Sequence, residues 1–415
     1  MRIVPPVRIT RENVLAVQTT ADWSPRGVVP EGEIEGRLAA FQAALRGADI
    51  DAAVVLQPVD LYYLAGTTQN AHLVVPATHE PVLLVRKTLE RARAESPLER
   101  IEPLRSLRDL PGALAAAGVE SGRLGLELDV LPAARYLDYA RRLPDYELTD
   151  CAGQLRRLRA VKSAWELERI REAGAMLSGV ADCLASVLRE GMTELELAAD
   201  VEAWLRRQGH QGVLRMRAFD GEGHYGTIAA GPTAAESGGT DTPLVGLGPN
   251  PYVAKGASPR PIGRGEPVIV DLVGSSQGYM CDQTRTFSLG PVRAPFGEAH
   301  DAARAIMRRV AEAAAPGVVA SSLYELALEL AGPRPEQFAS AERVSFVAHG
   351  FGLEIDEPPF LARGYDEPLA EGMVFALEPK FFVPGEGAVG IENSYAVTGD
   401  AVERLTSAPE ELIEL

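Results

Sequence analysis

The chain has 415 residues, 46% hydrophobic and 24% charged, which is enough apolar material for two or three buried cores and excludes a disordered chain. Acidic residues outnumber basic ones, 58 to 41, for a formal charge of −17; that balance argues against nucleic acid or an anionic membrane surface as a partner. Three scattered cysteines, Cys151, Cys183 and Cys281, offer neither a disulfide framework nor a thiolate metal site.

Residues 1–30 read as an irregular arm, with a loop at Trp23-Ser24-Pro25-Arg26-Gly27. Their opening, Met1-Arg2-Ile3-Val4-Pro5-Pro6, lacks the apolar run of a signal peptide, and no run of about 18 apolar residues follows anywhere. A reducing cytoplasm is the expected address. From Glu31 the pattern predicts a helix over about 31–46, strands at Ala52–Leu56, Leu73–Val75 and Val82–Val85, and a basic helix near Leu89. A strand at Leu124–Leu128 and a helix from Pro132 complete a small α/β domain over 31–155.

A second domain, 156–415, opens with two capping boxes, Ser163-Ala164-Trp165-Glu166 and Thr193-Glu194-Leu195-Glu196. The first predicts one long helix carrying Leu167, Ile170, Leu177, Val180, Leu184 and Leu188, the second a helix ending near Gly209. Gly221-Glu222-Gly223-His224-Tyr225-Gly226 has a G-x-G-x-x-G spacing, but a strand-like Thr227–Ala230 follows it instead of a helix, so a dinucleotide fingerprint is rejected. The Gly-, Pro- and Ser-rich stretch 231–263 reads as a long ordered loop near a site.

Two hairpins then carry the chemistry. Val268–Gly274 and Tyr279–Thr286 flank the turn formers Ser275-Ser276-Gln277-Gly278. A turn centred between Ser276 and Gln277 would set Asp271 directly opposite Asp282, their Cβ atoms about 5 Å apart. After helices from Gly297 and Ser322, a strand at Val344–Ala348 leads into His349-Gly350-Phe351-Gly352. A second hairpin, Met373–Pro379 with Ala388–Tyr395 about a turn at Gly385, places Glu378 opposite Glu392. Either acid pair alone is compatible with a surface accident, and His349 alone with a turn histidine. Together, two facing like-charged pairs in apolar strands require a cation between them. Four carboxylates and one imidazole suit a hard or borderline divalent ion, and two such ions about 3.5–4 Å apart would activate water for hydrolysis.

The motifs Val270-Asp271-Leu272-Val273-Gly274, Asp282-Gln283-Thr284-Arg285-Thr286, His349-Gly350-Phe351-Gly352, Leu377-Glu378-Pro379 and Ile391-Glu392-Asn393 resemble, in order and spacing, the M24 pita-bread metallopeptidase family. The two-domain layout and the helix beginning Lys162-Ser163 resemble its Xaa-Pro dipeptidase (prolidase) and Xaa-Pro aminopeptidase branch. The resemblance implies an α+β fold, with a creatinase-type α/β domain followed by a pita-bread catalytic domain. It implies a dinuclear manganese centre, with cobalt or zinc as alternatives, held by Asp271, Asp282, His349, Glu378 and Glu392. Asp282 and Glu392 would bridge the ions, and Glu378 would shuttle protons for a bridging hydroxide. It also implies a homodimer acting on short peptides.

Two positions depart from that pattern. A substrate-contacting histidine seventeen residues before the first aspartate is replaced by Ala254, with His224 as the nearest upstream substitute. In the run Glu354-Ile355-Asp356-Glu357-Pro358, Asp356 stands where similar peptidases carry a histidine. Asp356, His224 and Glu378 are therefore the candidate catalytic side chains. Arg285 and Arg363 are the candidate anchors for a substrate carboxylate, with a structural ion-pair role favoured for Arg285. The leading expectation is a metal-dependent Xaa-Pro peptidase; the alternatives are a non-peptidase on the same scaffold, such as an amidinohydrolase or metal-assisted lyase, and a catalytically dead binding module.

Overall fold

The structure, a computed structural model, describes residues 29–218, 221, 223–332 and 337–415. The arm expected over 1–30 lies almost wholly outside them. The chain divides into two compact units, one ending at Arg159 that also takes in Arg217, the other comprising Ala160–Met216 and Gly221–Leu415.

The first unit is built on a six-stranded mixed sheet. Its strands are β1 (Ala52–Val55), β2 (Ala71–Pro76), β3 (Val82–Val85), β4 (Ile101–Pro103), β5 (Gly122–Leu126) and β6 (Tyr146–Asp150), in the order β4-β3-β2-β1-β5-β6. β1–β3 form an antiparallel meander, and β4, β5 and β6 join in parallel. The helix Glu31–Gly47 buries Ile34, Leu38, Phe41 and Leu45, one side chain per turn. Each contributes about 1.5–3 kcal/mol of burial. Inside this unit a group of charges is sealed from water: Asp60 takes Arg159 Nη1 on one oxygen at 2.7 Å and Arg217 Nη1 on the other at 2.7 Å. Arg217 also clamps Asp129, and Glu127 accepts the Leu56 and Gln57 amides.

In the second unit both capping boxes form as expected, with Ser163 and Glu166 exchanging bonds at 2.9 and 3.2 Å and Thr193 and Glu196 at 2.8 and 3.1 Å. The long helix expected through Leu188 is broken, Ala164–Met176 and Val180–Val187, at a junction containing Gly179, a poor helix former. Strands β7 (Gly226–Ala230), β8 (Pro267–Ser276) and β9 (Tyr279–Ser288) form an antiparallel sheet, to which β17 (Ile413–Glu414) adds in parallel. The helices Val180–Val187 and Glu194–Arg207 close one face of it around Leu184, Val201, Ile228, Val270 and Leu272.

A five-stranded sheet contains β10 (Phe346–Phe351), β11 (Ile355–Ala362), β12 (Val374–Leu377), β15 (Asn393–Val397) and β16 (Val402–Arg404), while β13 (Lys380–Val383) pairs β14 (Gly387–Gly390). β12–β13 and β14–β15 are one hairpin interrupted on both sides. Leu377 pairs Asn393 and Lys380 pairs Gly390, so the register about Gly385 is continuous across Glu378-Pro379 and Ile391-Glu392. Pro379 has no N–H to give a ladder, and the freed carboxylates stand in the break. The helices Phe296–Ala313 and Ala320–Ala331 pack over this half around Ile306, Tyr324, Phe375 and Phe381.

Candidate metal centre

Asp271 and Asp282 come from the β8–β9 hairpin, whose actual turn is Gln277-Gly278. Both have positive φ, 49° and 93°, as a two-residue hairpin turn of the primed type requires. The turn centre lies one residue beyond the expected one, so the pairing is displaced by two residues: Asp271 faces Thr284 and Asp282 faces Val273. The two aspartates are diagonal neighbours instead of direct partners. Because the displacement keeps the strand alternation, both still occupy the same face.

The second hairpin places Glu378 and Glu392 level with each other, as its register predicts. Glu378 N bonds Val347 O on β10 at 3.0 Å, and Glu392 N bonds Thr284 O on β9 at 3.1 Å, so the break in the hairpin is stitched to both sheets. Ser394 Oγ bonds both the amide and the carbonyl of Asp282, at 3.1 and 2.9 Å. His349, on β10 beside β12, completes the group.

The oxygens sort into two sets that share Glu392. His349 Nε2 stands 4.0 Å from Asp282 Oδ2, 3.7 Å from Glu378 Oε1 and 3.9 Å from Glu392 Oε1. These spacings are too long for hydrogen bonds and right for donors around one cation. Among the described residues Glu392 Oε1 is buried with no hydrogen-bond partner, a costly state for a carboxylate oxygen unless a cation meets it. His349 Nδ1 lies 3.2 Å from Gly350 O. A carbonyl only accepts, so the proton sits on Nδ1 and the Nε2 lone pair points at the carboxylates, as a metal ligand must. The residues on this side fit a divalent ion.

The other set, Asp271, Glu378 and Glu392, meets Lys380, a residue that the motifs do not single out. Its ammonium lies against Glu378 Oε2, 3.3 Å from Glu392 Oε2 and 3.4 Å from Asp271 Oδ2. The signal for it was a charged side chain in the apolar strand Lys-Phe-Phe-Val, two residues beyond Glu378 and so on the same face. Thr284 Oγ1 donates to Glu392 Oε2 at 2.6 Å. Burial raises Asp271 to about 6 and, reinforced by Glu392 and Asp271, lifts Asp282 well above the usual carboxylate range. Burial also raises Glu378, against the pull of Lys380 and His349. For Lys380 burial works against the charge, yet Glu378, Glu392 and Asp271 hold it well above its ordinary value.

The remaining candidates divide. Asp356 joins the site: its Oδ1 lies 3.5 Å from His349 Nδ1, and its φ of 66° holds it there at the start of β11. Arg285 is no substrate anchor, because all its donors are spent inside the chain. Nε bonds Pro409 O, Nη1 bonds Thr284 O and Glu392 O, and Nη2 bonds Asn393 Oδ1 and Ala408 O. It pins the backbone of two residues in the centre. His224 is exposed and lines a shallow pocket of about 170 Å³ with Leu195, Val201, Glu202 and Leu272. That is the face of β8 opposite Asp271, so nearness in sequence did not become nearness in space. Arg363 is exposed, its guanidinium 3.5 Å from Tyr324 OH. Ala254 lies exposed in the 231–263 loop.

Over more than half of its length, residues 168–399, the chain matches Metallopeptidase family M24. It belongs to that family. Residues 37–161 match the Creatinase/Prolidase N-terminal domain, so the architecture is the pita-bread one with a creatinase-type domain before it. A probable dipeptidase, PepE, of Mycobacterium tuberculosis is 29% identical over 389 residues, covering 91% of this chain and 95% of the relative. The Xaa-Pro dipeptidase of Pyrococcus furiosus is 26% identical over 370 residues, covering 88% and 95%. The solved structure of an Xaa-Pro dipeptidase from Bacillus anthracis superposes with a TM-score of 0.79 over 92% of this chain and 100% of that one; at 23% identity it speaks for the fold alone. The M24 protein is an enzyme, a hydrolase of the peptidase class. Among the described residues no helix is long and apolar enough to cross a membrane.

Proposed function

We propose that this M24 enzyme is a metal-dependent exopeptidase that cleaves the Xaa-Pro bond of short peptides. The observation that carries the reading is the convergence of Asp282, His349 and Glu392 on one point, with Glu378 Oε1 3.7 Å from His349 Nε2 and, among the described residues, no hydrogen-bond partner for the buried Glu392 Oε1. The relatives named as dipeptidase and Xaa-Pro dipeptidase support the substrate class. We take the ion to be manganese, with cobalt or zinc as alternatives, because the donors are mostly oxygen.

A divalent ion held by these residues would polarise the scissile carbonyl and lower the pKa of the attacking water. Glu378 receives the proton of that water and passes it to the leaving nitrogen; burial raises its basicity toward the range where both transfers are efficient. Asp356 orients His349 through Nδ1. Where a histidine would donate to the developing oxyanion, an ionised Asp356 cannot. Its pKa is raised, by burial first and by Asp241, against the pull of His349. Arg363 remains the proposed partner of a substrate carboxylate, and the enzyme is proposed to act as a homodimer.

Ala254 and Asp356 favour a second reading, a small-molecule amidinohydrolase or lyase on the same scaffold. The two readings separate when manganese-reconstituted protein is offered an Xaa-Pro dipeptide and an Xaa-Pro-Yaa tripeptide, with Glu378→Ala as the blank. Cleavage lost in the blank supports the peptidase, and the preferred length distinguishes dipeptidase from aminopeptidase. Intact peptides with metal-loaded protein would overturn it.

A further inference from the structure

The resemblance implies two ions, but the donors on the Asp271 side do not fit a second one. Asp271 Oδ2, Glu378 Oε2 and Glu392 Oε2 all face one cation that the chain itself supplies, the ammonium of Lys380. Glu392 Oε2 is further taken by Thr284 Oγ1 at 2.6 Å. An ion bridged by Glu392 would need that oxygen at about 2.0–2.2 Å, which sets it against the ammonium.

Lys380 has nowhere to retreat. It is 0% exposed, and it pairs across the hairpin with Gly390. A Cβ on Gly390 would stand 2.6 Å from Lys380 Cγ and 2.9 Å from its Cα. The glycine therefore makes the slot through which the lysine stem reaches the carboxylates. The Oε1 side differs: there Asp282 Oδ2, Glu378 Oε1 and Glu392 Oε1 lie 4.0, 3.7 and 3.9 Å from His349 Nε2, and among the described residues no ammonium reaches them and Glu392 Oε1 has no hydrogen-bond partner.

We infer that the Lys380 ammonium stands in the place of the second divalent ion, so that the centre is complete with one ion per chain, held on the Asp282–His349 side. This rests on the metal reading above, and it makes Lys380 a positioning residue for Asp271, Glu378 and Glu392. One divalent ion and one fixed monovalent cation then share the charge of four carboxylates that two divalent ions would otherwise balance.

The test is the metal stoichiometry of the full-length protein after loading with excess Mn²⁺ and gel filtration, read by elemental analysis, together with the Mn²⁺ electron paramagnetic resonance spectrum. The expected result is one ion per chain and the six-line spectrum of an isolated ion, with a folded Lys380→Gly variant rising to two ions and a spin-coupled spectrum. Two ions per wild-type chain with a coupled spectrum would overturn the inference while leaving the metallopeptidase reading intact. No bound ion would overturn both. A folded Lys380→Gly that still binds one ion would overturn the role given to the lysine. If the variant fails to fold, the wild-type count and spectrum decide alone.

Discussion

Two groups of buried charge in this molecule have opposite characters. In the amino-terminal unit the buried Asp60 bonds Arg159 and Arg217 at 2.7 Å, and Arg217 also reaches the exposed Asp129 at 2.6 Å. Glu127 beside them is raised well above the usual range by burial and by Asp60. In the catalytic unit four carboxylates converge on one imidazole and one ammonium, and an oxygen of Glu392 is left unanswered. A closed set of charges is a structural device, whereas an open set has the chemistry of a site that binds a reactant or an ion.

Substitutions should separate the two. The largest effect belongs to the open set: Glu378→Ala should lower kcat/KM by about 10²–10⁴-fold with an unchanged melting temperature, as measured by peptide hydrolysis and thermal unfolding in parallel. The closed set should respond the other way. Asp60→Ala leaves two buried guanidinium groups without their shared acid and should cost about 3–5 kcal/mol in denaturant unfolding, with metal content unaltered. Arg285→Met lies beside the open set but is structural in kind. By stranding the carbonyls of Glu392, Ala408 and Pro409 it should cost about 1–3 kcal/mol and leave the KM for peptide as it was; a large rise in KM would restore Arg285 as a substrate contact.

The smallest effect is a pH trend. Because the folded pKa of Glu127 is raised, the folded chain keeps a proton that the unfolded chain releases above its ordinary value of 4.5. Stability is therefore lost as pH rises from there toward the folded value. Glu127→Gln mimics the neutral acid and keeps an acceptor for the Leu56 and Gln57 amides. Its melting temperature relative to wild type should rise as pH increases above about 5. A flat difference would mean that Glu127 is ionised.

Which parts of this are legible in the sequence follows from the range of the signals. The ligand set is legible because any two-residue turn in this segment pairs Asp271 with an even-numbered residue and so keeps Asp271 and Asp282 on one face. The one-residue shift of the turn came from Gln277, a non-glycine residue at positive φ, and because it displaces the pairing by two residues it preserved the face. The second hairpin is legible because its register is symmetric about Gly385. Lys380 went unseen because Pro379 reads as the end of a strand, although the chain resumes pairing at once as β13. The Asp60 group is illegible in principle. Its members lie far apart along the chain, at positions 60, 127, 129, 159 and 217, and no local pattern announces them. His224 fails for the reverse reason, a local neighbour carried to the opposite face of β8.

The central claim, that the open carboxylate set is a metal-dependent peptidase site, is tested most directly by following hydrolysis of an Xaa-Pro dipeptide before chelation, after it, and after return of Mn²⁺. The account predicts activity that disappears with the metal, returns with it, and is absent throughout in Glu378→Ala. Undiminished cleavage by fully chelated protein, or none by protein that demonstrably holds metal, would contradict it.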